Sequence, residues 1–158
     1  MTTVPLSKTK IETKLALIRE ALSKLEKLRV MSKSKFIGES INFITAEHYL
    51  RRALEAVFDI AGHILSRFPY SPGKRPITYK EIAVVLGEKR IVDNKFANES
   101  LVKMAGYRNR LVHHYSEVTK EELYDIIQSN LVDLDVFAKA IVNILENPQK
   151  VGLEVDEL

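Results

Sequence analysis

The stretch AEHYLRRALEAVFDIAGHIL, residues Ala46 to Leu65, decides the fold class because its apolar side chains recur at helical spacing. They belong to a stripe that consists of Ile44, Leu50, Ala53, Leu54, Val57, Ile60, Ala61 and Ile64. This spacing puts the side chains on one face of an α-helix. We therefore predict a long amphipathic helix from about Ile41 to Phe68, with this face turned into a core.

Similar stripes lie on both sides of this helix. One runs upstream from Ile11 to Leu28, and two run downstream, from Phe96 to Leu111 and from Leu123 to Leu145. The loop PYSPGKRP, residues 69–76, contains three prolines and separates the long helix from a short helix. We expect an all-α, antiparallel, up-and-down bundle of four long helices plus one short helix.

Helix starts are marked by a threonine followed three residues later by a glutamate, the spacing of a capping box. The pairs are Thr9 with Glu12, Thr78 with Glu81 and Thr119 with Glu122, and Asp93 is a further candidate cap. Pro148 ends the last apolar stripe. The sequence therefore predicts one helical-bundle domain over residues 1–148 and a mobile tail over residues 149–158.

Composition restricts the chemistry available to this chain of 158 residues. Cysteine is absent, which excludes disulfides, thiolate catalysis and cysteine-ligated metal centres. No apolar run approaches the roughly 18 residues of a membrane span, and we expect a cytoplasmic protein without a membrane partner. The net charge of +3 permits contact with nucleic acid but does not require it.

The stretch GYRNRLVHHY, Gly106 to Tyr115, departs from the ordinary helical pattern. Arg108 lies four residues after Met104 and three before Leu111, where the stripe calls for an apolar side chain. A charge on a packed face is costly unless it is paired. From the residues alone, Arg108 is either a structural arginine bound to Asp59 or Glu55 or a functional cation.

The histidines of this stretch are placed at the end of their helix, because a new helix opens at Thr119. On an ideal helix Arg108 and His113 would be about 140° apart, so they share a pocket only if the last turn unwinds. A zinc site built on His113 and His114 is a weak alternative, since histidines four residues apart converge better. His63 could face the same region, and its role stays open.

The pattern Arg108-x4-His113-x-Tyr115 resembles the R-x4-H-x-Y signature of HEPN-domain proteins, in particular the HepT toxins of HepT–MntA toxin–antitoxin systems. Asn109 also fits the wider HEPN pattern. Residues 46–65 resemble the second helix of that family, and ITYKEIAVVLGEKRIV, residues 77–92, resembles the short helix before the motif helix. The resemblance covers the chain from about Ile11 to Leu145.

This resemblance implies a toxin of a type VII-like pair, a metal-independent endoribonuclease with no cofactor that cuts RNA, such as tRNA or mRNA. His113 would move a proton and Arg108 would hold the scissile phosphate, supported by Asn109. Two copies would pair as a homodimer whose motifs line one cleft.

The resemblance also implies that Tyr115 accepts AMP from an MntA-like nucleotidyltransferase antitoxin, which would block RNA by charge and bulk. A second reading stays open beside the enzyme. In it, the chain is a non-catalytic HEPN dimerisation and binding module that partners a nucleotidyltransferase. Cleavage of RNA would separate the two readings.

Overall fold

The computed structural model describes residues 4–113 and 118–157, which form helices joined by short connections. The α-helices are α1 (Lys8–Arg29), α2 (Lys33–Gly38), α3 (Ser40–Leu65), α4 (Tyr79–Glu88), α5 (Asn94–Phe96), α6 (Val102–Val112) and α7 (Lys120–Glu146). A π-helical segment, Ala97–Leu101, joins α5 to α6, and a 3₁₀ turn, Pro148–Val151, follows α7. The predicted all-α bundle is confirmed. None of the helices in the described part of the chain has the length and apolarity needed to cross a membrane.

Helix α3 is the central element, because it packs against α1, α4, α6 and α7. Its stripe from Leu50 to Ile64 is buried as predicted, whereas Ile44 is 59% exposed. The inward position near the start of α3 belongs to Asn42, whose Nδ2 donates to the carbonyl of Lys35 in α2 at 3.2 Å. A buried amide therefore ties α2 to α3 where the sequence predicts an apolar contact.

Helix α1 begins two residues earlier than Thr9 suggests. Ser7 is its N-cap, with Oγ accepting from the Lys10 amide at 3.2 Å, so the predicted Thr9–Glu12 box is wrong. A side chain from the end of the chain completes the cap, since Asp156 Oδ1 accepts from the Lys8 amide at 3.0 Å.

The segment after α7 packs against the start of the chain, whereas the sequence predicts a mobile tail. Leu153 is 3% exposed, and Leu6 pairs with Val155 in an isolated parallel bridge. The bridge includes a hydrogen bond from the Leu6 amide to the Glu154 carbonyl at 2.8 Å. One buried leucine and these backbone bonds hold a segment whose short length gave no pattern to read.

Helix α4 starts as predicted, with a complete capping box between Thr78 and Glu81. The helix continues through Gly87 to Glu88, and Gly87 permits close packing. A Cβ built at Gly87 would lie 2.6 Å from the Cβ of Ala97. Arg90 follows with φ of 61°, the left-handed conformation that closes the helix.

The helix that carries the motif is interrupted by a π-helical turn. Asp93 caps it, as predicted, by accepting from the amides of Lys95 and Phe96. A π turn holds one residue more than an α turn, so it changes the direction in which later side chains project. The buried residues along this helix are Ala97, Leu101, Met104, Ala105 and Leu111.

Candidate active site

Arg108 is a half-buried cation on the inward side of α6, between the buried Met104 and Leu111. Its guanidinium carbon lies 4.2 Å from the centre of the Tyr79 ring, at the first position of α4. This distance is well within the range of a cation–π contact. The face of an aromatic ring therefore takes the place of the apolar neighbour that the stripe predicts.

No ion pair within the described residues includes Arg108. Its Nε is buried and has no hydrogen-bond acceptor among them. Asp59, one of the two carboxylates considered from the sequence, instead binds Lys14 of α1 at 3.0 Å. The structural alternative of an Arg108 salt bridge to Asp59 or Glu55 is therefore wrong.

Arg110, two residues further along α6, is paired with a carboxylate, unlike Arg108. Its guanidinium forms a two-pronged pair with Glu122 of α7, with Nη2 at 2.8 Å from Oε2 and Nη1 bonded to Oε1. This hydrogen bonding lowers the pKa of Glu122 and raises that of Arg110. The Glu122 carboxylate is thus used between helices, and Thr119 forms only its own half of the predicted capping box.

His113 is the residue at which the chain leaves α6, one position beyond Val112. Its backbone is extended, with φ of −100° and ψ of 113°, and its amide donates to the Asn109 carbonyl at 2.9 Å. The side chain is exposed. The predicted end of the helix at the histidines is confirmed, and the Asn109 backbone closes its last turn. Tyr115 and His114 lie outside the described residues.

His63 does not contribute to the motif, because it forms a hydrogen bond with the start of α1 instead. Its Nε2 accepts a hydrogen bond from the Ser7 amide at 3.0 Å, at the start of α1. Burial, together with the positive charges of Arg67 and Lys10, lowers the pKa of His63 to about 4. The neutral ring is therefore a structural acceptor for the α1 N-terminus, which settles the role that the sequence left open.

A cationic groove adjoins Tyr79 along the chain. It has a volume of about 400 Å³ and is lined by residues 73–76 and by Lys80, Glu81, Val84 and Val85 of α4. Lys74, Arg75 and Lys80 are exposed, and no ion pair of the described chain involves them. Glu81 is engaged by the amides of Ile77 and Thr78, so three cations dominate the groove.

The roles of two residues in this region cannot be predicted from the sequence. Tyr79 reads as the first residue of a short helix, and Glu122 reads as a capping glutamate. Their contacts with Arg108 and Arg110 depend on how α4 and α7 pack against α6, which no local pattern specifies. Within the described segments there is no group of three or more histidine or acidic side chains placed to hold a metal ion.

Comparison with known proteins shows the family to which this chain belongs. The family model described as Ribonuclease HepT-like matches residues 18–141. A tRNA nuclease HepT from Aphanizomenon flos-aquae (strain 2012/KM1/D3) is 28% identical over 131 residues, which are 83% of this chain and 86% of that protein. An mRNA nuclease HepT from Shewanella oneidensis is 28% identical over 92 residues, 58% of this chain and 66% of that one.

The fold is also found in a solved structure of a tri-AMPylated Shewanella oneidensis HEPN toxin in complex with MNT antitoxin. The TM-score is 0.69 at 24% identity, over 85% of this chain and 97% of the toxin. At that identity the likeness shows the all-α fold. Because the family model covers 124 of the 158 residues (18 to 141), this chain belongs to the HepT-like ribonuclease family.

Proposed function

We propose that this protein is a toxin that cleaves RNA without a metal ion, through Arg108 and His113 at a cleft between two copies. The two named relatives support the substrate class, since one is a tRNA nuclease and the other an mRNA nuclease. Action on RNA inside the cell and a chain without cysteine agree with a reducing cytoplasm as the compartment.

The surroundings of Arg108 are the main support for this proposal. An arginine that only stabilises a fold is normally paired with a carboxylate, as Arg110 is with Glu122. Arg108 is instead stacked on Tyr79, and no carboxylate of the described chain neutralises it. A fixed cation that retains its charge suits the binding of a phosphate in the transition state.

His113 supplies the proton chemistry in this proposal. Its imidazole removes the proton from a ribose 2′-OH, and the 2′-oxygen attacks the adjacent phosphorus. The bond from phosphorus to the 5′-oxygen breaks and that oxygen is protonated, which gives a 2′,3′-cyclic phosphate and a 5′-hydroxyl. A second copy across a two-fold axis provides another His113 to protonate the leaving oxygen and another Arg108 to bind charge.

We further propose that Tyr115, two residues after His113, accepts AMP from a nucleotidyltransferase antitoxin. The structural neighbour is a tri-AMPylated HEPN toxin bound to an MNT antitoxin, which supports both the modification and the partner. An AMP group beside Arg108 and His113 would repel the RNA backbone and occupy its space.

The first experiment is cleavage of tRNA and total RNA by the purified protein in EDTA, next to Arg108→Ala and His113→Ala. We expect cutting by the wild type that persists in EDTA and falls at least about 100-fold in each variant. Matched controls are Arg29→Ala and His48→Ala, which remove the same residue types from a half-buried and an exposed position elsewhere.

Three results would contradict the proposal in different ways. Loss of cutting in EDTA would disprove metal independence. Equal cutting in all five proteins would remove Arg108 and His113 from the site. Absence of cutting by a wild type whose Tyr115 is shown by mass spectrometry to be unmodified would leave the non-catalytic dimerisation and binding module.

A further inference from the structure

We propose that Tyr79 is a positioning residue for the reaction, because its ring holds the Arg108 guanidinium in the orientation that meets the scissile phosphate. The inference rests on the proposed function and adds to it a residue outside the R-x4-H-x-Y motif. The two side chains come from different helices, α4 and α6, and are 29 positions apart in the chain.

The contact between them fixes the arginine without using its charge. The guanidinium carbon lies 4.2 Å from the ring centre, so the ring covers the cation closely. A carboxylate would hold the group more strongly but would compete with a phosphate for the same N–H donors. The ring attracts the cation through its π face and offers no anionic oxygen.

The ring is itself well anchored. It packs edge-on against Phe58 of α3, with ring centres 5.2 Å apart and planes at 60°, and Phe58 is 3% exposed. Its backbone is the first residue of α4, directly after the capping box of Thr78 and Glu81. A rigid ring is a suitable support for a long and flexible arginine side chain.

The Nε of Arg108 is a second sign that this side chain is held in place at a cost. Solvent does not reach that nitrogen, and no described residue accepts from it. A leucine at position 108 would fill this place in the fold without a buried and unpaired N–H, whereas a phosphate site needs the cation in one place.

The test separates the ring face from the hydroxyl and from general packing. Displacement of a catalytic group by about 1 Å can cost about 100-fold in rate. We expect Tyr79→Leu to lower kcat for RNA cleavage at least about tenfold, with KM changed by less than about threefold. Tyr79→Phe keeps the ring face and should retain kcat within about twofold of the wild type.

The chain offers a matched control in Tyr124, a second half-buried tyrosine with the same kind of neighbours. It packs on Phe36 with ring centres 5.4 Å apart, and Lys33 Nζ lies 5.9 Å from its ring centre. Tyr124→Leu removes comparable packing from the interface of α2 and α7. We expect it to leave kcat unchanged when both leucine variants are assayed at a temperature where urea titration shows them folded.

An independent readout is the NMR spectrum of the Arg108 side chain. The ring should shift the Arg108 δ-proton resonances upfield in the wild type, in Tyr79→Phe and in Tyr124→Leu. The shift should be lost in Tyr79→Leu.

Normal kcat in Tyr79→Leu, beside an inactive Arg108→Ala, would overturn the role of Tyr79 alone. Equal losses of kcat in Tyr79→Leu and Tyr124→Leu would also overturn it, because they would trace the effect to packing. Normal cleavage by Arg108→Ala would instead overturn the proposed function, and the role of Tyr79 with it.

Discussion

Arg110 and Glu122 join the last turn of α6 to the first turn of α7 by two parallel hydrogen bonds, one of 2.8 Å between Nη2 and Oε2. The pair thus ties the end of α6, which leads into His113, to the start of α7.

Removal of the Glu122 charge should weaken this link between α6 and α7. We expect Glu122→Gln to lower the free energy of unfolding by about 1 kcal/mol, because the pair is bidentate but partly exposed. We also expect a several-fold lower kcat for RNA, since His113 follows Arg110 by three residues. Urea unfolding and the cleavage assay measure the two effects. Lys139→Met breaks the exposed Lys139–Asp135 pair on α7 and should change neither, so equal effects of the two substitutions would contradict the prediction.

Even the smallest side chain at position 87, in place of Gly87, should destabilise the fold. A Cβ at this position would lie 2.6 Å from the Ala97 Cβ and 3.3 Å from the Asn94 Cα. Gly87→Ala should therefore push α4 away from the motif helix and destabilise the fold by about 1–3 kcal/mol in urea titration. The control is Gly62→Ala in α3, where nothing lies within 4 Å, and there we expect a gain of about 0.5–1 kcal/mol. A neutral Gly87→Ala would show that the helices have room to move apart.

Arg90 occupies a position that favours glycine. The amide of Arg90 donates to the Gly87 carbonyl and that of Ile91 to the Leu86 carbonyl, each at 3.1 Å, which is the Schellman end of a helix. With φ of 61°, Arg90→Gly should stabilise the protein by about 1 kcal/mol in thermal or urea unfolding. Arg90→Ala keeps the Cβ and should give no gain. A stabilised alanine variant would mean that the arginine side chain, and not the backbone conformation, is unfavourable.

His63 should make the fold sensitive to acid. Its pKa is about 4 in the folded chain and near 6.5 when unfolded, so the unfolded chain binds the proton first. Above pH 6.5 the ring is neutral in both states, so stability does not depend on pH through this group. As pH falls from 6.5 to 4 only the unfolded chain takes up the proton, and the free energy of unfolding falls by up to about 3 kcal/mol.

Urea titrations at pH 7.5 and pH 5 test this linkage. Glutamine can still accept from the Ser7 amide and does not titrate, so His63→Gln should lose less stability between the two values than the wild type. His48→Gln, at an exposed position, should behave like the wild type. An unchanged loss in His63→Gln would assign the acid sensitivity to other groups.

The helices could be predicted from the sequence where the apolar pattern extends over many residues, as in the stripes of α1, α3 and α7. Caps were accessible where both partners are local, as for Thr78 with Glu81. Prediction failed where a residue distant in the chain takes part: Asp156 completes the cap at Ser7, and Arg110 takes the Glu122 carboxylate.

The candidate site could be predicted only in part from the sequence, for a similar reason. The anomaly of a charge at position 108 is visible as a break in a stripe, but its solution, the ring of Tyr79, depends on packing between two helices. The sequence also gives no sign of the π turn at Ala97–Leu101, because the same residues would fit a regular helix.

That turn sets the direction of the motif helix. If Ala97–Leu101 formed a regular α-helix without any change in length, all later positions would be rotated by about 100° relative to α5. Arg108 would then project away from Tyr79 although every residue of the R-x4-H-x-Y motif was still present. Deletion of one residue from the turn would instead remove its extra residue and let a regular helix keep Arg108 on the side of Tyr79, so a homologue with one residue fewer here is expected to retain the arrangement.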